Sequence, residues 1–363
     1  MSEAQAVGGV ARHFEIGGEF RSATRYGSGH INDTYCIVFD QAGDEARFIV
    51  QRINSGIFKN PAALMENIQR VTSHLAAQMA GEPESGRRVL TLIPARAGRA
   101  WHVDAEGNFW RAYRFIEGAR TYDAVESAEQ AFEAAKAFGR FQQMLASLPA
   151  PRLHETIPDF HNTPKRFAAL EEAIAADVAG RTSLARREIE FALTRKSMAS
   201  VLLDAKLPER VTHNDTKFSN VLLDDATGEG ICVVDLDTVM PGLALYDFGD
   251  MVRTTTSPAM EDERDLSRVT MQFTMFEALV RGYLQYAGGF LTKAEKQHLA
   301  FSGKLITFEQ GIRFLADYLA GDTYYKVQRE GQNLDRCRTQ FKLIESIEKQ
   351  EDRMERLVEA IVH

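Results

Sequence analysis

The chain has 363 residues, 44% of them hydrophobic and 26% charged, which excludes a disordered chain, a collagen-like repeat or a small disulfide scaffold. Lys and Arg number 43 against 51 Asp and Glu, a net charge of −8, and this acidic balance argues against a nucleic-acid surface or a polybasic membrane anchor. At this length two domains, or one domain with two lobes, are expected.

The first ~117 residues read as strands with one helix. Ser22–Tyr26 and Ile31–Phe39 are strand-like and flank Gly27-Ser28-Gly29, and RFIVQRI over Arg47–Ile53 is a third strand. Asn60-Pro61 supplies a helix cap and a first-turn proline. Leu64, Ile68, Val71 and Leu75 then follow at spacings of an amphipathic helix. Further strands are expected at Val89–Ile93, Ala100–Val103 and Asn108–Phe115.

Beyond Glu117-Gly118 the pattern turns helical. Phe132, Ala135, Phe138, Phe141 and Leu145 form one apolar stripe, read as buried core, that ends before Pro149 and Pro151. A helix is expected over Ala185–Leu203, a β-rich island over about 211–235, and mostly helix from Glu261 onward. The last helix, roughly Cys337–Val362, is laced with charges of both signs, as a solvated helix face is. The expected architecture is α+β and bilobal: a small β-rich N-terminal lobe, residues 1–117, and a larger, mostly helical C-terminal lobe, residues 118–363.

Cys36, Cys232 and Cys337 are far apart in sequence and form no C-x-x-C motif; they read as reduced, small apolar residues. The start of the chain has no apolar core of a secretory signal, and no run approaches the roughly 18 apolar residues of a membrane-spanning helix. The expected location is the cytoplasm.

The chemistry concentrates in VTHNDTKFSNVLLDDATGEGICVVDLDTVMPGLALYDFGD, residues 211–250. Two short apolar runs, Val221–Leu223 and Ile231–Val234, flank an Asp- and Gly-rich turn and predict a hairpin. Pairing 221 with 234 and 222 with 233 sets Asn220 opposite Asp235, so that an amide oxygen and a carboxylate meet at one point. Oxygen donors of this kind suit Mg²⁺ completed by substrate phosphates. Asp215 precedes Asn220 by five residues, placed to act as a base or to hold a hydroxyl in line with a phosphorus. His213-x-Asp215-x-x-x-x-Asn220 followed by Asp235 thus matches the catalytic-loop and metal-aspartate pattern of phosphoryl transfer. His213 is expected to be a structural hydrogen-bonder, and Asp247 to brace the loop. Asp237 is open between a supporting carboxylate and a simple polar residue.

In the first lobe, Gly27-Ser28-Gly29-His30 lies between two strands, where backbone amides can approach phosphates closely. The third strand should then carry a phosphate-pairing lysine; this chain has Gln51 there, followed by Arg52 on the other face. Adenine is expected against backbone groups near Phe115 and Ile116.

At these motifs the chain resembles the aminoglycoside-phosphotransferase and choline-kinase superfamily, which has the protein-kinase-like fold. YGSGHINDTY, QRINSGIF, HNDTKFSNVLLD, DLDTVMPGLALYDFGD, FSGKLITFEQGIRFLADYLAGDTYY and RTQFKL extend the resemblance to the N-acetylhexosamine 1-kinase family, over about residues 10–350. The resemblance implies ATP- and Mg²⁺-dependent phosphorylation of the anomeric hydroxyl of N-acetylglucosamine or N-acetylgalactosamine. It places Asp215 at the reacting hydroxyl, Asn220 and Asp235 at the metal, and Arg313 and Tyr324 at the sugar. It also makes glutamine the family residue at Gln51. Read from its own helix, Arg313 has another reading, as an ion-pair partner of Asp317 or Glu309. The alternatives are a kinase of the same fold for choline, homoserine or an aminoglycoside, a catalytically silent nucleotide-binding regulator, and a protein kinase, for which no A-P-E segment is found.

Overall fold

A computed structural model of the chain describes residues 2–27 and 31–362. Helix α1 (Glu3–Ala11) leads into strands β1 (Glu19–Arg25), β2 (Asp33–Gln41) and β3 (Asp44–Arg52); α2 (Pro61–Gln78) and the single turn α3 (Ser85–Arg88) precede β4 (Leu92–Ile93), β5 (His102–Val103) and β6 (Phe109–Arg114). These strands form one antiparallel sheet in the order β1-β2-β3-β6-β4, with β5 on β6. Val7 and Ala11 of α1 join Ile37, Phe39, Val50, Ala112 and Trp110 in the core on one face of that sheet. Helix α2 begins as its sequence dictates: the Asn60 side chain accepts from the Ala63 amide, Pro61 opens the first turn, and Leu64, Ile68, Val71 and Leu75 are all buried.

The larger lobe follows β7 (Ala119–Arg120). It contains α4 (Ala128–Leu145), α5 (Thr163–Ala176), α6 (Arg186–Thr194) and α7 (Val201–Asp204), then β8 (Arg210–Thr212), β9 (Val221–Asp224), β10 (Gly230–Val233) and β11 (Met240–Gly242). Six helices complete it: α8 (Ala244–Thr255), α9 (Phe273–Ala287), α10 (Lys293–Gln297), α11 (Leu299–Leu319), α12 (Gln332–Glu348) and α13 (Glu351–Val362). The small strands pair as β10-β9-β7 and β11-β8. This is the two-lobed α+β arrangement expected from the sequence.

Glycine sets how closely the helices of this lobe approach. A Cβ on Gly139 of α4 would lie 2.5 Å from the Tyr283 carbonyl oxygen, and one on Gly282 of α9 would lie 2.2 Å from that of Phe132. The two helices therefore touch backbone to backbone, each through the other's glycine. Gly249 of α8 meets α11 in the same way, 2.5 Å from the Ser302 carbonyl oxygen. These contacts fix α8, and α8 carries Asp247.

Two helices differ from expectation. The segment 185–203 is not one helix: α6 ends where Arg195 turns to pair with Glu348 at 2.9 Å and covers the Phe191 ring, and a short 3-10 turn leads to α7. The C-terminal helix is two. It starts earlier, at Gln332, and breaks after Glu348, where Gln350 bonds its amide to the Met271 carbonyl at 2.8 Å. Helix α12 also buries Cys337, Phe341, Leu343, Ile344 and Ile347 beneath its charged face. All three cysteines are free and buried. No described helix is long and apolar enough to cross a membrane.

Candidate active site

The loop between β8 and β9 is held by charge beneath it. Asp247, fully buried in the first turn of α8, accepts the amides of His213 (2.9 Å) and Asn214 (2.7 Å) and the Gln142 side-chain amide. Its backbone carbonyl accepts the Thr216 hydroxyl at 2.6 Å. Burial pushes the Asp247 carboxyl upward, against the His213 and Asn214 donors. His213 donates Nε2 to the Val234 carbonyl (2.9 Å), which leaves Nδ1 to accept the Asp215 amide at 3.3 Å. Asp247 and His213 thus both hydrogen-bond to the backbone of this loop.

His161 is buried and tied to the same loop. Its Nε2 donates to the Asn214 carbonyl (3.1 Å) and its Nδ1 to Glu309 Oε1 on α11 (2.8 Å). Both partners are acceptors, so the ring is an imidazolium. Burial opposes that charge, and Glu309 outweighs it and holds the pKa above the ordinary value. Thr163 completes the pair by donating to Glu309 Oε2 at 2.6 Å.

On this support, Asp215 Oδ2 receives the Lys217 ammonium at 2.8 Å and the Asn220 side-chain amide at 3.1 Å. Burial raises the Asp215 carboxyl, but the Lys217 charge outweighs it and holds it below the usual carboxylate range. The Asn220 amide also donates to the Asp215 backbone carbonyl at 2.8 Å. Its nitrogen is thereby committed, and Oδ1 is the atom left to take a cation.

The hairpin register corrects the sequence expectation by one residue. Val221 pairs with Val233 and Leu222 with Cys232, with an irregularity between Gly230 and Cys232, and the Val234 amide bonds the Asn220 carbonyl at 2.9 Å. Asn220 therefore faces Val234, and Asp235 lies one residue past the ladder in the left-handed region, φ 58°. Asp235 is exposed. The density of protein around this open cleft position and the neighbouring Asp237 raise its pKa, with Lys217 opposing and access to solvent moderating the rise. Among the described residues no group of three or more His, Cys, Asp and Glu side chains is arranged to hold a metal. An amide oxygen and a carboxylate oxygen are nonetheless the donor types that Mg²⁺ takes when phosphates supply the rest.

Asp237 is neither a loose polar residue nor solvated. It is buried and ion-paired to Arg111 of β6, itself 1% exposed. Gln51 faces Arg111 across the ladder and accepts its Nε at 2.9 Å, while Gln51 Nε2 donates to Thr34 Oγ1 at 2.9 Å. Arg52 lies on the opposite face and pairs with Asp33.

Gly27 adopts φ 78°, a conformation that favours glycine; Ser28, Gly29 and His30 lie outside the described residues. Phe115 carries the Arg47 guanidinium over its ring and meets Tyr26 edge-on at 5.7 Å. Ile116 is buried with Ile231 and Cys232 against Leu222 and Val234, an apolar bed where the two lobes join. On α11, Arg313 donates to Gln310 Oε1 (3.1 Å) and lies over the rings of Phe160 and Tyr325. It pairs with neither Asp317 nor Glu309: Asp317 accepts the amides of Thr323, Tyr324 and Tyr325, and Glu309 takes His161. Tyr324 is exposed and packs edge-on against Tyr325 at 4.8 Å. That places it beside Arg313.

Sequence reading passed over Lys217, Arg111 and the His161–Glu309 pair. The D-x-K spacing from Asp215 could have flagged Lys217. The other two join residues far apart in the chain and left no local signal.

A β-rich lobe joined to a helical lobe, with an Asp–Lys–Asn loop held over α8, is the architecture of a kinase-like phosphotransferase. Residues 22–286 match the APH phosphotransferase enzyme family, and the chain belongs to it. Similar solved structures share the fold at low identity. A spectinomycin phosphotransferase solved with ADP and spectinomycin has a TM-score of 0.62 at 12% identity, over 97% of this chain and 99% of that one. A choline kinase from Cryptosporidium parvum has a TM-score of 0.57 at 14% identity, over 99% of both chains. A microcompartment-associated aminopropanol kinase has a TM-score of 0.55 at 16% identity, over 97% of this chain and 98% of that one.

Proposed function

We propose that this phosphotransferase moves the γ-phosphoryl group of ATP, with Mg²⁺, onto the anomeric hydroxyl of an N-acetylhexosamine, N-acetylglucosamine or N-acetylgalactosamine, giving the sugar 1-phosphate. The observation that carries the phosphoryl-transfer reading is the Asp215–Lys217–Asn220 cluster, joined at 2.8 and 3.1 Å on one carboxylate oxygen. In this reading residues 1–117 are the nucleotide lobe and 118–363 the catalytic and acceptor lobe. Adenine lies against Phe115 and Ile116, and the phosphates beneath Gly27, Ser28, Gly29 and His30 and beside Gln51. Asn220 Oδ1 and the Asp235 carboxylate hold the Mg²⁺, whose chemistry is to neutralise phosphate charge. Asp215 accepts a hydrogen bond from the acceptor hydroxyl and points its oxygen at phosphorus. The depressed pKa of Asp215 suits orientation better than strong-base catalysis, and an anomeric hydroxyl is acidic enough to need no strong base. Lys217 lies where charge builds on the transferred group. Catalysis is then mainly positioning and charge neutralisation.

The acceptor side supports an uncharged sugar over an ammonium-bearing acceptor. Among the described residues, Arg313 and Arg166 each make hydrogen bonds to neutral oxygens, Gln310 Oε1 and the Phe160 carbonyl, and neither pairs with a carboxylate. Burial and the Arg313 charge hold the Arg166 pKa below its usual value. A cationic amine there would meet like charge, whereas sugar hydroxyls and an acetamido oxygen would accept these donors. The segment 301–325 that carries Arg313 and Tyr324 is also the more discriminating part of the resemblance to the N-acetylhexosamine 1-kinases, since the catalytic motifs are shared by the whole superfamily.

The test is ADP release with Mg·ATP against N-acetylglucosamine, N-acetylgalactosamine, glucose, galactose, choline, homoserine and kanamycin, with products examined by ³¹P NMR. The expected result is turnover on the N-acetylhexosamines, with the new phosphorus coupled to the anomeric proton. Asp215→Asn should lose nearly all turnover and still bind ATP. Near-wild-type turnover in that variant would overturn the assignment of Asp215, and turnover only on amines would overturn the sugar.

A further inference from the structure

A kinase-like cleft that lacks its strand-β3 lysine still needs a fixed cation near the nucleotide phosphates. Gln51 occupies that strand and carries no charge. The nearest strand neighbour on the same face does carry one. Gln51 and Arg111 are direct partners across the β3–β6 ladder, as Thr34 and Gln51 are across β2–β3. The three side chains form one hydrogen-bonded row across the sheet, Arg111 Nε to Gln51 Oε1 and Gln51 Nε2 to Thr34 Oγ1, both at 2.9 Å.

The row ends on the opposite lobe. Arg111 Nη1 pairs with Asp237 Oδ1, and Asn32 donates to Asp237 Oδ2 at 2.6 Å. Asn32 in turn accepts the Asn54 amide at 3.0 Å. Asp237 sits in the turn that directly follows Asp235. One carboxylate of the helical lobe therefore collects the β6 cation and Asn32, which lies just before β2. Both ends of the ion pair are almost completely buried. A buried pair is not a source of fold stability as such, because desolvation offsets the attraction, so its presence in the cleft asks for another reason.

We propose that Arg111 is a positioning residue of the nucleotide site: it takes over the cation that Gln51 lacks and, through Asp237, locks the turn carrying Asp235 to the cleft face of the sheet. The inference rests on the nucleotide-site reading above. Arg111 itself touches no substrate. Its charge stands behind the phosphates, and its hydrogen bonds fix where the Asp235 turn lies relative to β3. In protein kinases the lysine pairs with a glutamate of the same lobe; here the partner belongs to the other lobe, so the cation and the register between the lobes are one device.

The test uses full-length protein and Mg·AMP-PNP, titrated calorimetrically without acceptor, alongside steady-state kinetics with whichever acceptor turns over. Binding by the wild type is the control; its absence would count against the nucleotide-site reading itself. Arg111→Met should weaken Mg·AMP-PNP at least tenfold and raise the KM for Mg·ATP by a similar factor, with the acceptor KM within twofold. Arg111→Lys should recover part of that loss. Because a lone buried Asp237 threatens folding, the deciding variant is Arg111→Met with Asp237→Asn, which leaves neither charge unpaired. It should fold, as judged by circular dichroism and the urea midpoint, and still bind at least tenfold more weakly. Adding Gln51→Lys to this double variant returns a cation one strand away and should restore binding to within about threefold. A folded double variant that binds like wild type would overturn the proposal, as would a Gln51→Lys addition that gains nothing.

Discussion

Asp247 is the residue on which the catalytic loop depends most, and its replacement can be worked through from its partners. Oδ2 accepts the His213 amide and the Gln142 side chain; Oδ1 accepts the Asn214 amide. In Asp247→Asn one oxygen becomes an NH₂ group. Gln142 can adapt by turning its amide, because its other partner, the Tyr283 hydroxyl at 2.5 Å, can donate or accept. The backbone amides cannot turn, so one of them faces a donor in either orientation of the new side chain. An unsatisfied buried donor costs about 1–3 kcal/mol. Because burial raises the Asp247 pKa, its charge opposes folding as pH rises, and removing that charge returns part of the loss. The net expectation is about 2 kcal/mol of destabilisation for Asp247→Asn, from the same balance of a lost bond against relieved desolvation. Asp247→Ala strands three donors and should cost roughly 4–6 kcal/mol, a large share of the roughly 5–15 kcal/mol that holds a domain together. Urea unfolding followed by far-ultraviolet circular dichroism at pH 7.5 measures both. If Asp247→Asn lies within about 0.5 kcal/mol of wild type, the range of an ordinary surface substitution, or if Asp247→Ala is no worse than Asp247→Asn, the reasoning is refuted.

Gly282→Ala should destabilise the protein by about 1–3 kcal/mol or more, because its methyl would lie 2.2 Å from the Phe132 carbonyl oxygen; an unchanged urea midpoint would contradict the close approach of α4 and α9. The His161–Glu309 pair should make stability pH-dependent. The His161 pKa is raised in the folded state, so its contribution is complete below the ordinary imidazole value, about 6.5, and is lost as pH rises through the folded value. Glu309 is shifted down, so its share is lost only as pH falls through its own folded value. The Tm advantage of wild type over His161→Gln should therefore be greatest near pH 6 and shrink toward pH 9, and a difference that is flat with pH would refute the imidazolium assignment.

Much of the fold could be read from local pattern. Helix α2 follows from Asn60, Pro61 and the Leu64-Ile68-Val71-Leu75 stripe, because capping and a 3.6-residue period act within one segment. The spacing of Asp215, Asn220 and Asp235 was equally legible, since all three belong to one loop and hairpin. The register was not. The irregularity between Gly230 and Cys232 shifts β10 by one residue, and an all-apolar run such as Ile231–Val234 has no alternation to reveal which residue faces which. Arg111 escaped because a cation was sought along β3, whereas Arg111 meets Gln51 from the neighbouring strand, 60 residues later. The joins in 185–203 and after Glu348 depend on Arg195 and Gln350 reaching distant partners, which no window of sequence contains.

The supports of the catalytic loop carry a kinetic consequence. Asp247, His161, Glu309 and the Val234 carbonyl all belong to the helical lobe, and among the described residues every hydrogen bond that shapes residues 213–216 ends within that lobe. On the proposed reading of this loop as the acceptor side, it should keep its shape whether or not nucleotide is bound. No compulsory sequence of arrival follows from this arrangement, in contrast to an enzyme whose first substrate must assemble the site for the second. Initial velocities with both substrates varied should give intersecting lines, and ADP should inhibit competitively against ATP. An acceptor that binds only after a nucleotide analogue has been added would show that the preassembled loop does not govern the order.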